Sequence, residues 1–188
     1  MWELLNTGIK TAEENMQLDR SLLEKLSPQG PAILHLYRWK TPSATYGHFI
    51  KPHTLLNLEA AQKHHLALAK RPTGGGMIFH VSDLAFSVLM PAQHEKFSEN
   101  TLENYHYINH KVLVAVQSVM KEASIELLPE APAAVEDSCQ NFCMAHPTIF
   151  DVMIGNKKIA GAAQRQRKQG FLHQGSISIA MPDERLLE

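Results

Sequence analysis

The sequence predicts a mixed chain of helices and strands. Short apolar runs bounded by proline or glycine alternate with stretches whose apolar residues fall at helical spacing. With 188 residues the chain can bury a substantial core, and a single domain over residues 1–188 is expected. Its 44% apolar and 20% charged residues are those of an ordinary folded protein.

The elements follow in order. Thr11 to Leu26 reads as a helix, with Thr11 as N-cap and Glu14 at capping-box spacing. Its apolar stripe is Met16, Leu22, Leu23 and Leu26. Ala32 to Trp39 is an apolar run following Pro31 and reads as a strand, and Ala44 to Phe49 is a second. Leu55 to His65 reads as a short helix, closed by His64-His65, where imidazolium suits the helix dipole. Leu66 to Lys70 reads as a buried strand. Met77 to His80 and Leu84 to Met90 are strands joined by a turn at Ser82-Asp83. Thr101 to Ala123 is the longest helix, with Leu102, Tyr105, Val112, Val116 and Val119 near helical spacing and an exposed face at Asn104 to Asn109. Leu127 to Phe142 reads as a loop, and Thr148 to Ala180 as a hairpin followed by another strand.

Several function classes are disfavoured at once. A formal net charge of −1 does not suit a surface built wholly for nucleic acid. No apolar run approaches the length of a membrane span. Met1-Trp2-Glu3-Leu4-Leu5 does not read as a signal peptide, and two cysteines make no disulfide framework, so a reducing cytoplasm is expected. His106 and His110 stand i, i+4, but no third ligand has a recognisable spacing, so no metal site is assigned.

Lys70-Arg71-Pro72-Thr73-Gly74-Gly75-Gly76-Met77-Ile78-Phe79-His80 is the most informative segment. Three glycines lose much backbone entropy on folding, so they suit a place where backbone must approach an anionic or polar ligand. A tight turn between strands is the alternative. Further on, Phe150-Asp151-Val152-Met153-Ile154, Gly155-Asn156 and Lys157-Lys158-Ile159-Ala160 read as a two-residue hairpin. In that register Ile154 faces Lys157, Met153 faces Lys158 and Val152 faces Ile159. Alternation then puts Val152, Ile154 and Ile159 toward the core and Lys158 on the opposite face. Lys158 is there either a ligand-binding lysine on a rigid strand or a solvated one.

These blocks resemble those of a known family. The glycine segment with His80 resembles the signature of lipoate–protein ligases and their octanoyltransferase relatives. Gly155 to Arg165 resembles the second block, Leu172-His173-Gln174-Gly175-Ser176-Ile177 the third, and Glu14 to Asp19 the first helix. The resemblance implies an α+β fold, a mixed sheet packed against helices, shared with biotin–protein ligases. It implies transfer of a lipoyl or octanoyl group to one lysine of a lipoyl carrier domain, such as those of 2-oxoacid dehydrogenases or the glycine cleavage system. In the ligases ATP, with Mg2+, first converts lipoate to lipoyl-adenylate. Lys158 matches the family lysine at the acyl group and its leaving oxygen. Arg71, Thr73, Gly74, Gly75, Gly76, His80, Gly161, Ala162, His173, Gly175 and Ser176 match substrate- or nucleotide-binding positions. The glycine N–H groups would line the acyl-adenylate, with Arg71 offsetting its charge. The biotin ligases' arginine between glycines is absent.

Two departures bear on mechanism. Val81 follows His80 where the ligases usually carry an acid, and Asp83 is the nearest substitute. Cys143 stands before the hairpin at the spacing of a nucleophilic cysteine in one octanoyltransferase branch, which takes octanoate from acyl carrier protein without ATP. Cys139 matches no role. The intact triplet Gly74-Gly75-Gly76 favours an ATP-dependent ligase, with the Cys143-dependent transferase and a non-catalytic lipoate-binding module as alternatives. The ligases' C-terminal accessory domain has no counterpart before Glu188, which leaves a truncated chain or a separate accessory chain open. Lys157, Lys158, Arg165, Arg167 and Lys168 form a positive run that suits acidic carrier proteins.

Overall fold

A computed structural model describes residues 1–121, 124–130 and 142–180. The elements are β1 (Trp2–Lys10), α1 (Ala12–Glu24), β2 (Ala32–Trp39), β3 (Ser43–Tyr46), α2 (Leu58–Lys63), β4 (Ala67–Lys70), β5 (Met77–His80), β6 (Asp83–Pro91), α3 (Thr101–Val119), β7 (Ile125–Leu127), β8 (Val152–Ile154), β9 (Lys157–Arg167) and β10 (Gly170–Ser178). They build a seven-stranded mixed sheet in the order β1-β2-β6-β10-β9-β8-β7 and a three-stranded sheet in the order β4-β3-β5. Helix α3 packs on one face of the large sheet, against β7, β8 and β9, whereas α1 contacts β6 and β10 on the other and β3 and β4 of the small sheet. Among the described residues no helix is long and apolar enough to cross a membrane.

Alternation along the central strands separates two cores. Phe86, Val88 and Met90 of β6 join Phe171 of β10 and Ile108 and Val112 of α3. Leu89 and Leu172 instead meet Leu23 of α1 and Leu26 just beyond it. The Thr11 capping box is present, with Glu14 N donating to Thr11 Oγ1 at 3.2 Å and Thr11 N to Glu14 Oε2 at 2.8 Å.

Several elements differ from the sequence reading. Strand β1 carried no readable signal: Trp2, Leu4 and Ile9 are exposed at the sheet edge, so no alternation marks a buried face. It pairs in parallel with β2, with a register break between Asn6 and Gly8. The helix read over 55–65 shortens to α2, capped by Asn57, whose side chain accepts from Ala60 N at 3.1 Å. Strands β5 and β6 do not pair; the turn between them carries the chain from the small sheet to the large one. The expected loop over 127–142 lies mostly outside the described residues, as does Cys139, and Leu127 itself belongs to β7.

The face of α3 over Asn104–Asn109 is not solvated. Asn104 and Asn109 are buried with Ile108, while Leu102 and Val119 of the expected stripe are exposed. Asparagine disguised the buried face because its hydrogen bonds are tertiary. Asn104 Nδ2 donates to Ser98 O at 2.7 Å, and Asn109 Nδ2 to Phe150 O at 2.8 Å.

A buried carboxylate ties α1 to the large sheet. Asp19 is fully buried and accepts from Ser87 Oγ at 2.6 Å, Gln174 Nε2 at 2.6 Å and His35 Nδ1 at 2.8 Å. Those donors come from β6, β10 and β2, so one side chain of α1 fixes three central strands. Removing such an acceptor strands buried donors, which is costlier than never having had them. Asp19→Ala should lower unfolding stability in urea by about 3–5 kcal/mol. A loss below about 1 kcal/mol would mean the carboxylate is not a structural hub.

Candidate active site

The glycine segment links β4 to β5, both of which pair with β3 and not with each other. Gly47, just beyond β3, lies directly beneath it: a Cβ there would meet the Gly75 carbonyl oxygen, with Gly74 C and Gly75 C at 2.8 Å. Gly47 N donates to Gly76 O and His48 N to Thr73 O, each at 3.0 Å. Gly75 takes φ +83°, a conformation that favours glycine.

Arg71 organises this loop from inside. Its side chain is 5% exposed and donates Nη1 to Thr45 O at 2.9 Å and to Thr45 Oγ1 at 3.0 Å. Nη2 donates to Gly74 O at 3.0 Å and Gly76 O at 2.9 Å, and reaches Cys143 Sγ at 3.8 Å. The glycine carbonyls thus turn toward the guanidinium. The sequence reading expects Arg71 to offset ligand charge while glycine N–H groups line the ligand; in the fold, Arg71 is engaged by the loop's own carbonyls. Burial pulls the Arg71 pKa below its ordinary value, and the neighbouring Cys143 acts in the opposite direction.

Cys143 is held by its backbone at both ends. Its N–H donates to Met77 O of β5 at 2.8 Å, and its carbonyl accepts from Lys158 Nζ at 2.7 Å. Lys158 also pairs with Asp151 Oδ2 at 2.7 Å and donates to His146 O at 3.3 Å. Its side chain is 5% exposed, so the solvated-lysine alternative does not describe it. The hairpin register explains its position. Met153 pairs with Lys158 as expected, but Val152 pairs with Ala160, because a bulge displaces the expected Val152–Ile159 pair. Gly155 supplies the first turn position at φ +54°, as a type II′ turn demands.

Two residues to which the sequence reading gave no site role complete this corner. Asp151 is fully buried and accepts from Tyr105 Oη at 2.6 Å and Thr148 N at 2.7 Å. Burial, reinforced by the Asp151 charge, pushes the Tyr105 phenol far above its usual range. Gly161 gives Lys158 its room: a Cβ there would strike Lys158 Cε, stand 2.7 Å from Nζ and lie 2.9 Å from Asp151 Oδ1. An acid beside the second block was visible in the sequence, but its partner Tyr105 lies 46 residues away.

An open cavity brings Arg71, His80, Cys143, Lys158, Gly161, Ala162, Gly175 and Ser176 together, with Met16, Trp39, Ile78 and Met144 adding apolar wall. His80 is buried beneath it. Its Nδ1 is 2.6 Å from Asp83 Oδ2, and its Nε2 is 2.8 Å from Thr45 Oγ1. A carboxylate only accepts, so Nδ1 carries the proton and Nε2 accepts from Thr45. Asp83 is thus the acid that orients the His80 ring, and Ser176 Oγ donates to the same oxygen at 2.6 Å. Burial lowers the His80 pKa, against the pull of Asp83.

Other expected positions lie apart from the cavity wall. Thr73 is buried and donates to Gln174 Oε1 at 2.7 Å, tying the loop to β10. The missing side chain of Gly175 is filled by the Phe86 ring, so that glycine serves packing as well as the cavity. His173 points to the α3 side between Phe86 and Tyr105, with Nδ1 2.8 Å from the Gln164 side-chain amide. Gly74 and Gly76 contribute the carbonyls described above. Among the described residues, no three His, Cys, Asp or Glu side chains gather as a metal site.

A model of the lipoyl protein ligase A/B catalytic domain matches residues 11–187, and the chain belongs to that family. Octanoyltransferase LipM of Halalkalibacterium halodurans is 27% identical over 191 residues, covering 100% of this chain and 69% of the relative. Octanoyltransferase LipM of Geobacillus kaustophilus is 28% identical over 189 residues, covering 99% and 68%. The crystal structure of a lipoate-protein ligase A bound with ATP superposes with a TM-score of 0.76 at 23% identity, over 99% of this chain and 68% of that one, a likeness of fold. The protein is therefore an enzyme of the lipoate ligase and octanoyltransferase family with the expected α+β fold.

His173 makes the fold sensitive to acid. Burial holds its pKa at about 3, against about 6.5 for an unfolded histidine. As pH falls below about 6.5 the unfolded chain binds a proton that the folded chain refuses, so stability falls until about pH 3. His80 is shifted in the same direction. His173→Gln should flatten the fall in urea stability between pH 6 and pH 4 by up to about 1.4 kcal/mol per unit. An unchanged slope would show that His173 does not drive it.

Proposed function

We propose that this protein is a Cys143-dependent octanoyltransferase, carrying octanoate from acyl carrier protein to the lysine of a lipoyl carrier domain. The observation that carries this is the contact between a buried guanidinium and a sulfur: Arg71 Nη2 is 3.8 Å from Cys143 Sγ. All other Arg71 partners among the described residues are neutral oxygens. A cation in so dry a place favours negative charge at the atom beside it, and the sulfur bears that charge when it attacks. The naming of relatives as octanoyltransferase LipM adds weight.

The chemistry runs in two steps. Cys143, having given up its proton, attacks the thioester carbonyl of octanoyl-acyl carrier protein. A C–S bond to Cys143 forms, the C–S bond to the carrier arm breaks, and the arm leaves as a thiol bearing the proton that Cys143 gave up. The neutral amine of the lipoyl-domain lysine then attacks the new thioester. A C–N bond forms, the C–S bond to Cys143 breaks, and the amine's proton returns to the sulfur. Lys158 fixes the Cys143 carbonyl through Nζ and puts positive charge beside the oxygen on which charge develops.

ATP-dependent ligation of lipoate is the second reading, favoured by the intact Gly74-Gly75-Gly76. A paired assay separates the two. Octanoyl-acyl carrier protein should add octanoyl mass to a lipoyl domain, and Cys143→Ser should stop it. Modification by lipoate, ATP and Mg2+ that survives Cys143→Ser would establish the ligase instead. Lys158→Ala should abolish carrier modification, and retained turnover in a mass assay would remove Lys158 from the mechanism. Gly161→Ala should cut turnover at least tenfold, about 1.4 kcal/mol in the barrier, by displacing Lys158 while circular dichroism stays native. A wild-type rate in that variant would show that the lysine's position tolerates the methyl group.

A further inference from the structure

A second concavity lies outside the glycine loop. It is a groove whose lining includes Arg20 of α1, Arg165 and Arg167 of β9, and His48, with Glu24 as its acid. Arg20, His48 and Arg167 are exposed, whereas Arg165 is half-buried and donates Nη1 to Pro72 O at 2.7 Å. Three arginines from two elements converge where the fold needs no ion pair: among the described residues none of them has a carboxylate within salt-bridge distance. The field is strong enough to depress the His48 pKa, with Lys70 the largest cause and burial, Arg165, Arg20 and Arg167 following. Like charges kept together at a cost to stability suit an anion.

The groove is aligned with the cavity. Gly161, Ala163, Arg165 and Arg167 alternate along one face of β9. Gly161 underlies Lys158. A Cβ on Gly75 would stand 3.6 Å from Ala163 Cβ and 3.7 Å from Cys143 Sγ, so Ala163 marks the sulfur's place along the strand. Four residues of strand separate Ala163 from Arg167, roughly 13–14 Å. A pantetheine arm has about as many backbone bonds between sulfur and phosphorus as four residues of extended chain, roughly 14–16 Å. A thioester presented to Cys143, with its arm crossing over the Pro72–Gly75 loop that covers this face, therefore brings its phosphate within reach of the arginines.

We infer that the Arg20–Arg165–Arg167 groove binds the phosphodiester of the pantetheine arm that carries the octanoyl donor. This rests on the transferase reading and names the part of the donor that the second site reads. The lysine-bearing acceptor has no such phosphate, so the groove distinguishes donor from acceptor. Electrostatic recognition of this kind weakens with added salt.

The test compares octanoyl-phosphopantetheine with octanoyl-pantetheine as donors, using the wild type and the double variant Arg20→Gln/Arg167→Gln. Arg165 is left in place because it also holds Pro72. The wild type should show kcat/KM at least tenfold higher for the phosphorylated donor, through KM, and the double variant should erase that preference. KM for the lipoyl domain should stay the same in both. Equal use of the two donors by the wild type overturns the inference, as does a preference that survives in the variant. A defect confined to intact octanoyl-acyl carrier protein also overturns it, because it would assign the groove to an acidic protein face. If the wild type uses none of the three donors, the transferase reading itself fails, and the inference with it.

Discussion

Arg71 is the constraint on which the site depends. A guanidinium taken out of water loses solvation that neutral oxygens restore only in part. Here four hydrogen bonds to Thr45, Gly74 and Gly76 hold it, and each partner is fixed by it in turn. The glycine loop takes its shape around that cation: two of its carbonyls converge on one nitrogen, and the bare Gly47 backbone supports it from below. The same nitrogen meets the Cys143 sulfur. From Thr45 the chain of bonds continues through His80 to Asp83 and Ser176, so the small and large sheets share one polar seam beneath the cavity.

The opposite wall rests on a second buried charge. Asp151 balances Lys158, and Tyr105 and Thr148 satisfy its remaining acceptor capacity, consistent with the rule that buried charges persist only when paired and hydrogen-bonded. Phe150, just before it, adopts φ +67°, unusual for a bulky residue and worth about 1–3 kcal/mol of strain. Its neighbours hold it there: its carbonyl accepts from Asn109 Nδ2 and its N–H donates to Leu128 O. The bulge in β9 and the bare Gly161 then allow the lysine to fold back onto the Cys143 segment. Strain, bulge and glycine act together to aim one ammonium.

Charge also separates the surfaces. The cavity keeps its two cations dry and engaged, while the neighbouring groove leaves two of its three arginines exposed. The two meet across the backbone of Pro72 and the glycine loop, whose position is set by Arg71 on one side and Arg165 on the other. A loop held from both sides separates them without needing side chains of its own.

The sequence by itself determined the local features: the Thr11 capping box, the central strands, the Gly155-Asn156 turn and the opposition of Met153 and Lys158. These depend on short-range periodicity and turn chemistry, which a single chain displays openly. It also placed the glycine triplet, Cys143 and Lys158 in order along the chain. Only the tertiary structure decided what those groups face. The buried asparagines of α3 read as solvated because their partners, Ser98 and Phe150, lie on other segments. Strand β1 was invisible because an edge strand exposed on its flanks has no alternating face to show. Asp151, Tyr105 and Gly47 could not be read as site residues, since each gains its meaning from a contact far away in sequence. The triplet itself was legible as a place of close approach, but only the fold showed that what approaches its carbonyls from within is Arg71.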